Sequence, residues 1–319
     1  MKIVILDGYT INPGDNPWTP VEKMGECSIY ERTPPELVLE RAGDAGIILT
    51  SKVKLTESVI AALPKLRYIS LLATGYNNVD VVAAARRGIP VSNVPAYSTE
   101  SVVQTAFALL LELTTRVGLH DVAVKAGEWI SCPDHSFWKN SIVELDGLTM
   151  GIVGYGAIGR VMARVAAAFG MKVIAHAPRI PIDSGLVPVR FVPLDELFTS
   201  SDVVSLNCPQ TPENTGFVNS RLISLMKPSA FFLNVARGGL VNEADLAAAL
   251  NAGIIAGAGL DVVAHEPMLA DNPLLTAANC IITPHIAWAA LAARKRLMNI
   301  VAGNIAAFIN GTPVNVVNK

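Results

Sequence analysis

The chain has 319 residues, with 25 Lys and Arg against 27 Asp and Glu, and 51% of its residues are hydrophobic. The balanced charge excludes the basic surface that would attract nucleic acid or an anionic membrane, and the hydrophobic content excludes a largely disordered chain. The length favours two domains or one large α/β unit, and the balanced charge makes a small molecule the expected binding partner.

Short apolar runs rich in β-branched residues alternate with helical stretches over the first hundred residues. One helical stretch, DVVAAARRG, begins at Asp80, which can cap it, and ends at Gly88, which can adopt the left-handed conformation. Such alternation predicts parallel strands covered by helices. The predicted strands lie in KIVILDG, AGIILTS, RYISLLATG and IPVSNV.

A longer helical segment follows, from Ser98 or Thr99 as N-cap to the neighbourhood of Gly127, and we expect one helix that bridges two units. A last helix, at about 288–309, comes after a second alternating series has ended, and we place it back against the first domain. The fold class is therefore α/β, with two doubly wound parallel-sheet domains and a discontinuous first domain. The second series of strands lies in LTMGIVGYG, MKVIAH, DVVSLN, AFFLNVA, IIAGAGLDV and CIITPH.

The cysteines show no spacing typical of a disulfide framework or a zinc site, and we expect reduced thiols in a cytoplasmic protein. The N-terminus lacks the pattern of a signal peptide, and no apolar run has the length needed to span a membrane. The four cysteines are Cys27, Cys132, Cys208 and Cys280.

The pattern GxGxxG falls on Gly154, Gly156 and Gly159, directly after a predicted strand and at the start of a predicted helix. In this context the glycines permit a tight turn, close approach of a pyrophosphate and close packing of helix on strand. The free N–H groups around Ala157 and Ile158 would face the anion. The segment predicts a dinucleotide-binding turn; three glycines in an ordinary strand-to-helix turn are the alternative.

The acid that usually binds the adenosine ribose is absent from the end of the next strand. Ala177 stands at that position, and Arg179 follows two residues later. A carboxylate would repel a 2'-phosphate, whereas a small residue with a nearby guanidinium leaves room and supplies a donor. The sequence therefore favours NADP over NAD, unless Arg179 simply points into solvent.

Three polar residues each follow a predicted strand, where open α/β sheets present their ligands. Arg237 in FLNVARGG can bind a carboxylate through two parallel hydrogen bonds. His285 in IITPHIA can donate a proton to the alkoxide that forms when a hydride reduces a 2-keto acid. Glu266 in GLDVVAHEP would keep that imidazole protonated and fix its tautomer. His265 has no further ligands at a usable spacing, so we expect no metal.

At these residues the sequence resembles the D-isomer-specific 2-hydroxyacid dehydrogenase family, most closely its glycerate dehydrogenase and hydroxypyruvate reductase members. The resemblance covers nearly the whole chain. The motifs that carry it are LLATGYNNVD, GIVGYGAIGR, MKPSAFFLNVARGGLVN, LDVVAHEP and TPHIAW.

The resemblance implies a flavodoxin-like substrate domain of residues 1–97 and 288–319 and a Rossmann NAD(P)-binding domain of residues 98–287, with a cleft between them. It also implies a homodimer. The substrate would be bound by Lys52, Thr74, Gly75 and Arg237, and by Trp138 of the second copy in the dimer. The cofactor would be bound by Cys208, Pro209, Asp261 and His285, in addition to the glycine turn and the 177–179 segment.

The expected activity is NAD(P)-dependent reduction of a small 2-keto acid, with hydroxypyruvate or glyoxylate favoured. A non-catalytic dinucleotide sensor of the corepressor type is the alternative, because the same architecture serves that role. A formate dehydrogenase is disfavoured, since Gln would be expected in place of Glu266. Thr105 stands where relatives often have His, and nothing in the sequence explains that change.

Overall fold

The computed structural model describes residues 1–180 and 187–318. The chain forms two compact units, one of Met1–Ser98 with Trp288–Lys319 and one of Thr99–Ala287. These limits differ by one residue from the boundaries expected from the sequence. The assignment of substrate and cofactor roles to the two units stays a prediction.

The first unit contains a five-stranded parallel sheet covered by helices. Its strands are short, and most of them are fully buried, as expected when helices pack on both faces. The elements are β1 (Ile3–Ile5), β2 (Cys27–Ile29), β3 (Ile47–Thr50), β4 (Tyr68–Leu71), β5 (Val91–Ser92), α1 (Thr19–Glu22), α2 (Val38–Ala42), α3 (Glu57–Ala61), α4 (Val81–Arg86) and, from the end of the chain, α11 (Leu291–Ile309).

The strand order of this sheet is β2-β1-β3-β4-β5, which is the flavodoxin-like order. The predicted return of the C-terminal helix is confirmed, since Leu297 and Val301 of α11 pack with Ile3 and Ile5 in one core cluster. The helix begins at Leu291, slightly later than predicted.

The second unit contains a seven-stranded parallel sheet, also covered by helices. Its elements are α5 (Thr99–Thr115), α6 (Val117–Lys125), β6 (Thr149–Val153), α7 (Ala157–Ala168), β7 (Lys172–His176), β8 (Arg190–Phe191), α8 (Leu194–Ser200), β9 (Val203–Leu206), α9 (Ser220–Ile223), β10 (Phe231–Asn234), α10 (Glu243–Asn251), β11 (Gly257–Leu260) and β12 (Cys280–Ile282).

The strand order of this sheet is β12-β11-β10-β9-β6-β7-β8. Counted from β6, this is the Rossmann order with one further strand at the edge. The order reverses between β6 and β9, so the carboxyl ends of these strands form the position at which such sheets bind ligands. Both units are thus doubly wound α/β folds, as predicted.

The predicted boundaries of α4 are confirmed. The Asp80 carboxylate accepts a hydrogen bond from the backbone N–H of Ala83 at 2.8 Å, and Gly88 has a φ of +64°. Glycine adopts this conformation without the steric cost that a side chain would bring.

The expectation of one continuous helix from Ser98 or Thr99 to Gly127 is wrong. Arg116 has a φ of +50° and separates α5 from α6, whose axes differ by 55°. A residue in the left-handed conformation cannot continue a right-handed helix, so the chain turns there.

No single helix within 1–180 and 187–318 is long and apolar enough to cross a membrane. Of the described helices, only the bent pair of α5 and α6 together has the length and composition of a membrane span, and most of α5 is buried.

Candidate active site

Glu266 and His285 lie after two adjacent strands, β11 and β12, and their side chains meet. The Nδ1 atom of His285 lies 2.6 Å from Oε2 of Glu266. Both side chains remain partly exposed to solvent. Because the acid engages Nδ1, the Nε2 atom is the one that can act on a bound molecule. The pair predicted from the sequence is therefore assembled within the second unit.

Asp261 holds the loop that carries His285. Its side chain is 1% exposed and accepts hydrogen bonds from the Thr283 hydroxyl at 2.6 Å and from the N–H groups of Ile286 and Ala287 at 2.9 Å. The N–H of His285 also donates to the Asp261 carbonyl at 2.8 Å. These bonds stabilise His285 at a φ of +54°, a conformation unfavourable for an isolated non-glycine residue. The nicotinamide contact expected of Asp261 stays a prediction.

Arg237 follows β10, the strand next to β11, in an extended conformation. The buried Asn234 holds its turn, because its amide donates to the Arg237 carbonyl at 2.9 Å and its side-chain oxygen accepts from Ala236 at 3.0 Å. A Cβ atom at Gly238 would collide with the backbone of Val263. The arginine loop therefore packs against the loop that carries Glu266.

The three predicted catalytic residues thus occupy the carboxyl ends of three successive strands of one sheet. The N–H of Val263 lies 3.4 Å from Oε1 of Glu266, a contact within the loop after β11 that helps to hold the Glu266 side chain. Sequence reasoning missed the supporting roles of Asn234 and Thr283. Their position at strand ends marks them in the sequence as polar residues near the site, but it does not show which groups they would hydrogen-bond.

The glycine turn joins β6 to α7, and each glycine has a separate structural reason. Gly154 has a φ of +95°, and a Cβ atom there would lie 2.6 Å from the backbone nitrogen of Cys208. A Cβ atom at Gly159 would collide with the Gly154 carbonyl oxygen, which confirms the predicted close packing. At Gly156, by contrast, a Cβ atom would meet no described atom within 4 Å.

The start of α7 fits a dinucleotide pyrophosphate. The helix begins at Ala157 and Ile158, and the Gly156 position provides no side-chain cap. The first N–H groups of a helix have no partner within the helix, and they favour an anion. The open space at Gly156 lets such a group approach the backbone.

Ala177 directly follows β7 and lies beside the glycine turn, since the preceding residue, His176, accepts a hydrogen bond from the N–H of Gly154 at 2.8 Å. Ala177 is half-buried, and Arg179 is exposed. Arg179 forms no ion pair with any acid in residues 1–180 and 187–318. Among the described residues, Ala177 occupies the position after β7 where an acid usually binds the ribose.

Cys208 and Pro209 follow β9, on the other side of the strand-order reversal from β7. Burial raises the pKa of the Cys208 thiol to about 11, so this side chain contributes an uncharged surface. Pro209 is exposed, and its carbonyl accepts a hydrogen bond from the Asn214 amide at 2.9 Å.

The described residues contain no group of three or more His, Cys, Asp or Glu side chains that could hold a metal ion.

Comparison with known proteins identifies the family. Residues 107–287 match the family model of the D-isomer specific 2-hydroxyacid dehydrogenase NAD binding domain. The chain is 50% identical to a hydroxypyruvate reductase of Blautia hydrogenotrophica, with all of both chains covered. The chain belongs to the D-isomer specific 2-hydroxyacid dehydrogenase family.

Solved structures of similar chains agree. An NADPH-dependent glyoxylate/hydroxypyruvate reductase of Sinorhizobium meliloti, in complex with NADP and malonate, is 31% identical with a TM-score of 0.85, covering 99% of this chain and 96% of that one. A D-lactate dehydrogenase of Aquifex aeolicus, in complex with NAD and lactic acid, is 29% identical with a TM-score of 0.85, covering 100% and 99%. This member of the family is an NAD(P)-dependent oxidoreductase, which overrules the corepressor alternative.

The remaining predicted residues lie elsewhere. Lys52 and Thr74 are exposed in the first unit, after β3 and β4, and the Thr74 hydroxyl donates to the Val94 carbonyl at 2.7 Å. Gly75 is half-buried beside Thr74. Trp138 belongs to the second unit and is 68% exposed. Lys52, Thr74 and Gly75 belong to the first unit and Arg237 to the second, and their joint action stays a prediction.

Proposed function

We propose that this dehydrogenase reduces hydroxypyruvate or glyoxylate to the corresponding D-2-hydroxy acid, with Arg237, Glu266 and His285 as its catalytic residues. The hydroxypyruvate and glyoxylate reductases among its relatives support this substrate class. The observation that carries the catalytic assignment is the 2.6 Å contact between His285 and Glu266 at the carboxyl edge of the dinucleotide-type sheet.

Each catalytic residue has a distinct task. Arg237 binds the substrate carboxylate and polarises the neighbouring carbonyl, because a planar guanidinium can form two parallel hydrogen bonds. His285 donates a proton from Nε2 to the oxygen of that carbonyl as negative charge develops there. Glu266 orients the imidazole through its contact with Nδ1, so that Nε2 faces the substrate. When bound, the nicotinamide cofactor supplies the hydride.

NADP is the favoured cofactor in this proposal. Ala177 leaves room for a 2'-phosphate, and Arg179 offers a positive charge within two residues. Lys52, together with the backbone N–H groups at Thr74 and Gly75, completes the substrate carboxylate site. The nicotinamide ring pocket includes Cys208, Pro209 and Asp261.

The enzyme acts as a cytoplasmic homodimer in this proposal. The four cysteines are all unpaired, as in a reducing compartment. The stretch 117–142 carries eight large apolar side chains that are exposed in the single chain, including Ile130 at 91% and Trp138 at 68%. Exposed apolar surface on this scale is typical of protein interfaces. Trp138 would then lie close to the active site of the second copy.

The test is a steady-state assay of the purified full chain with NADPH and with NADH, using hydroxypyruvate, glyoxylate, pyruvate and phenylpyruvate. We expect the largest kcat/KM with NADPH and one of the two smaller, more polar acids, hydroxypyruvate or glyoxylate. A tenfold preference for NADH would contradict the role of Ala177 and Arg179. A preference for phenylpyruvate would contradict the substrate class.

A further inference from the structure

The Asp7 carboxylate organises the turn that carries Lys52. Asp7 follows β1, and the turn follows β3. Oδ1 of Asp7 accepts a hydrogen bond from the N–H of Ser51 at 2.8 Å, and Oδ2 accepts from Lys52 at 2.6 Å and from Val53 at 3.0 Å. Three successive backbone N–H groups thus converge on one side chain, which defines the path of the turn.

The position of this turn in the sheet points to ligand binding. In the order β2-β1-β3-β4-β5 the connections leave in opposite directions from β1 and from β3, so the crevice outside their carboxyl ends is the expected ligand position. Asp7 and Lys52 lie directly after these two strands. The topology of the first unit alone places both residues at this crevice.

The hydrogen bonds also reduce the repulsion that the Asp7 charge would exert on an anionic substrate. A free carboxylate would repel an anionic substrate, but both oxygens of Asp7 are engaged, and the Thr50 hydroxyl lies 3.4 Å from Oδ2. Charge-assisted bonds of this kind hold geometry more strongly than neutral ones. The Lys52 side chain is exposed and forms no ion pair within the described parts of the chain. Its ammonium group is therefore available to an incoming anion.

We propose that Asp7 is a positioning residue of the substrate site: it fixes the 51–53 turn so that Lys52 meets the substrate carboxylate. The inference rests on the proposed substrate role of Lys52. It adds a residue whose side chain touches neither substrate nor cofactor. Its effect on catalysis passes entirely through the turn.

The experiment is a double-mutant cycle with Asp7→Asn and Lys52→Ala, assayed with hydroxypyruvate and NADPH. Asn retains one oxygen acceptor but places an amide donor against backbone N–H groups. We expect Asp7→Asn to raise KM for hydroxypyruvate about tenfold with kcat nearly unchanged, as for a loss of substrate binding. KM for NADPH should not change. In the Lys52→Ala background, Asp7→Asn should change KM by less than about twofold, because coupled residues are not additive.

Asp202→Asn is the matched control. The Asp202 carboxylate likewise accepts a backbone N–H, that of Thr149 at 2.9 Å, but at the amino end of the second sheet. It should lower the melting temperature without changing KM for hydroxypyruvate. A comparable rise in KM with this control would mean that loss of stability, and not positioning, explains the effect.

The outcomes separate the two hypotheses. If Lys52→Ala leaves KM for hydroxypyruvate unchanged, the proposed role of Lys52 fails. If Lys52→Ala raises KM but Asp7→Asn raises it further by the same factor in both backgrounds, only the positioning role of Asp7 is overturned. Should Asp7→Asn not fold, Asp7→Glu keeps the charge but displaces it by one methylene. A folded Asp7→Glu variant with the KM of the unmodified enzyme would also overturn the inference.

Discussion

His285 depends on its neighbours for its orientation, because Glu266 engages Nδ1 and Asp261 fixes the surrounding loop. We expect His285→Ala to lower kcat by at least about 100-fold, the typical contribution of general acid catalysis. The measurement is steady-state turnover with saturating hydroxypyruvate. His265→Ala, at an exposed histidine, is the control and should retain activity. Unchanged turnover in His285→Ala would contradict the assignment.

Ala177 permits a direct test of cofactor choice at one residue. Ala177→Asp would place a carboxylate beside the ribose, and like charges at an interface cost several kcal/mol. We expect KM for NADPH to rise at least about tenfold, while KM for NADH stays the same or falls. Ala177→Ser, which is small and neutral, is the matched control. An unchanged KM for NADPH in Ala177→Asp would show that the 2'-phosphate does not approach this position.

At the scale of elements, two glycines of the turn between β6 and α7 have different tasks. Gly154 allows close packing of the backbone, and Gly156 leaves room for a ligand. Gly154→Ala would strain a positive φ and crowd the backbone at Cys208. We expect the free energy of unfolding to fall by on the order of 2 kcal/mol. Gly156→Ala meets open space, so stability should change by less than about 0.5 kcal/mol. The Kd of the Gly156→Ala variant for the dinucleotide should nevertheless rise at least about tenfold, because the backbone must approach the pyrophosphate closely.

Urea denaturation and fluorescence titration of the cofactor measure these two effects separately. If Gly156→Ala binds the dinucleotide normally, the pyrophosphate does not lie over this turn. If Gly154→Ala is as stable as the unmodified chain, the close approach to Cys208 does not constrain the fold.

The α5 to α6 boundary shows where local pattern was insufficient. Apolar periodicity continues through Arg116, so the sequence predicts one helix. The structure breaks it there, and a His120 ring nitrogen lies 2.8 Å from the Arg116 carbonyl oxygen. A single residue in the left-handed conformation has no strong sequence signal unless it is glycine or asparagine.

At the scale of the whole molecule, two partly buried thiols predict how the free energy of unfolding depends on pH. Burial raises the pKa of Cys208 to about 11 and that of Cys280 to about 12, from an ordinary value of 9.0. The unfolded thiols ionise more readily, so their stabilisation is complete below about pH 9 and is lost as pH rises towards 11 and 12. Each thiol contributes at most about 1.4 kcal/mol per pH unit in this window.

We therefore expect the free energy of unfolding to decrease less between pH 8.5 and about 10.5 in a Cys208→Ala, Cys280→Ala double variant than in the unmodified chain. The relevant quantity is the slope of the free energy of unfolding with pH, because the substitutions also change packing and thereby shift this free energy at every pH. Urea denaturation at a series of pH values gives this slope. Equal slopes in both proteins would contradict the raised pKa values of the two partly buried thiols.

The exposed apolar stretch 117–142 predicts the assembly. Sedimentation equilibrium should give twice the 33.8 kDa of one chain. Ile130→Asp should shift the equilibrium towards the monomer, because it would bury an unpaired charge in the interface. Val82→Asp, at an exposed apolar residue of the first unit, is the control and should leave the dimer intact. A monomeric unmodified chain at micromolar concentration would contradict the proposal.

The sequence by itself determined the two series of parallel strands, the glycine turn and the three residues with catalytic chemistry. These features depend on local properties: apolar runs identify buried strands, glycine permits close approach, and Arg, Glu and His at strand ends carry the required functional groups. The parallel sheet then brings the strand ends to one edge, so the meeting of Glu266 and His285 could be expected.

Only the tertiary structure decided which distant groups the carboxylates at the strand ends hold. Asp7 binds N–H groups 44 to 46 residues away, and Asp261 binds groups 22 to 26 residues away. A carboxylate at a strand end has many possible partners, and the choice depends on strand order and loop path. Those quantities arise from the packing of the whole chain, so a local pattern does not contain them.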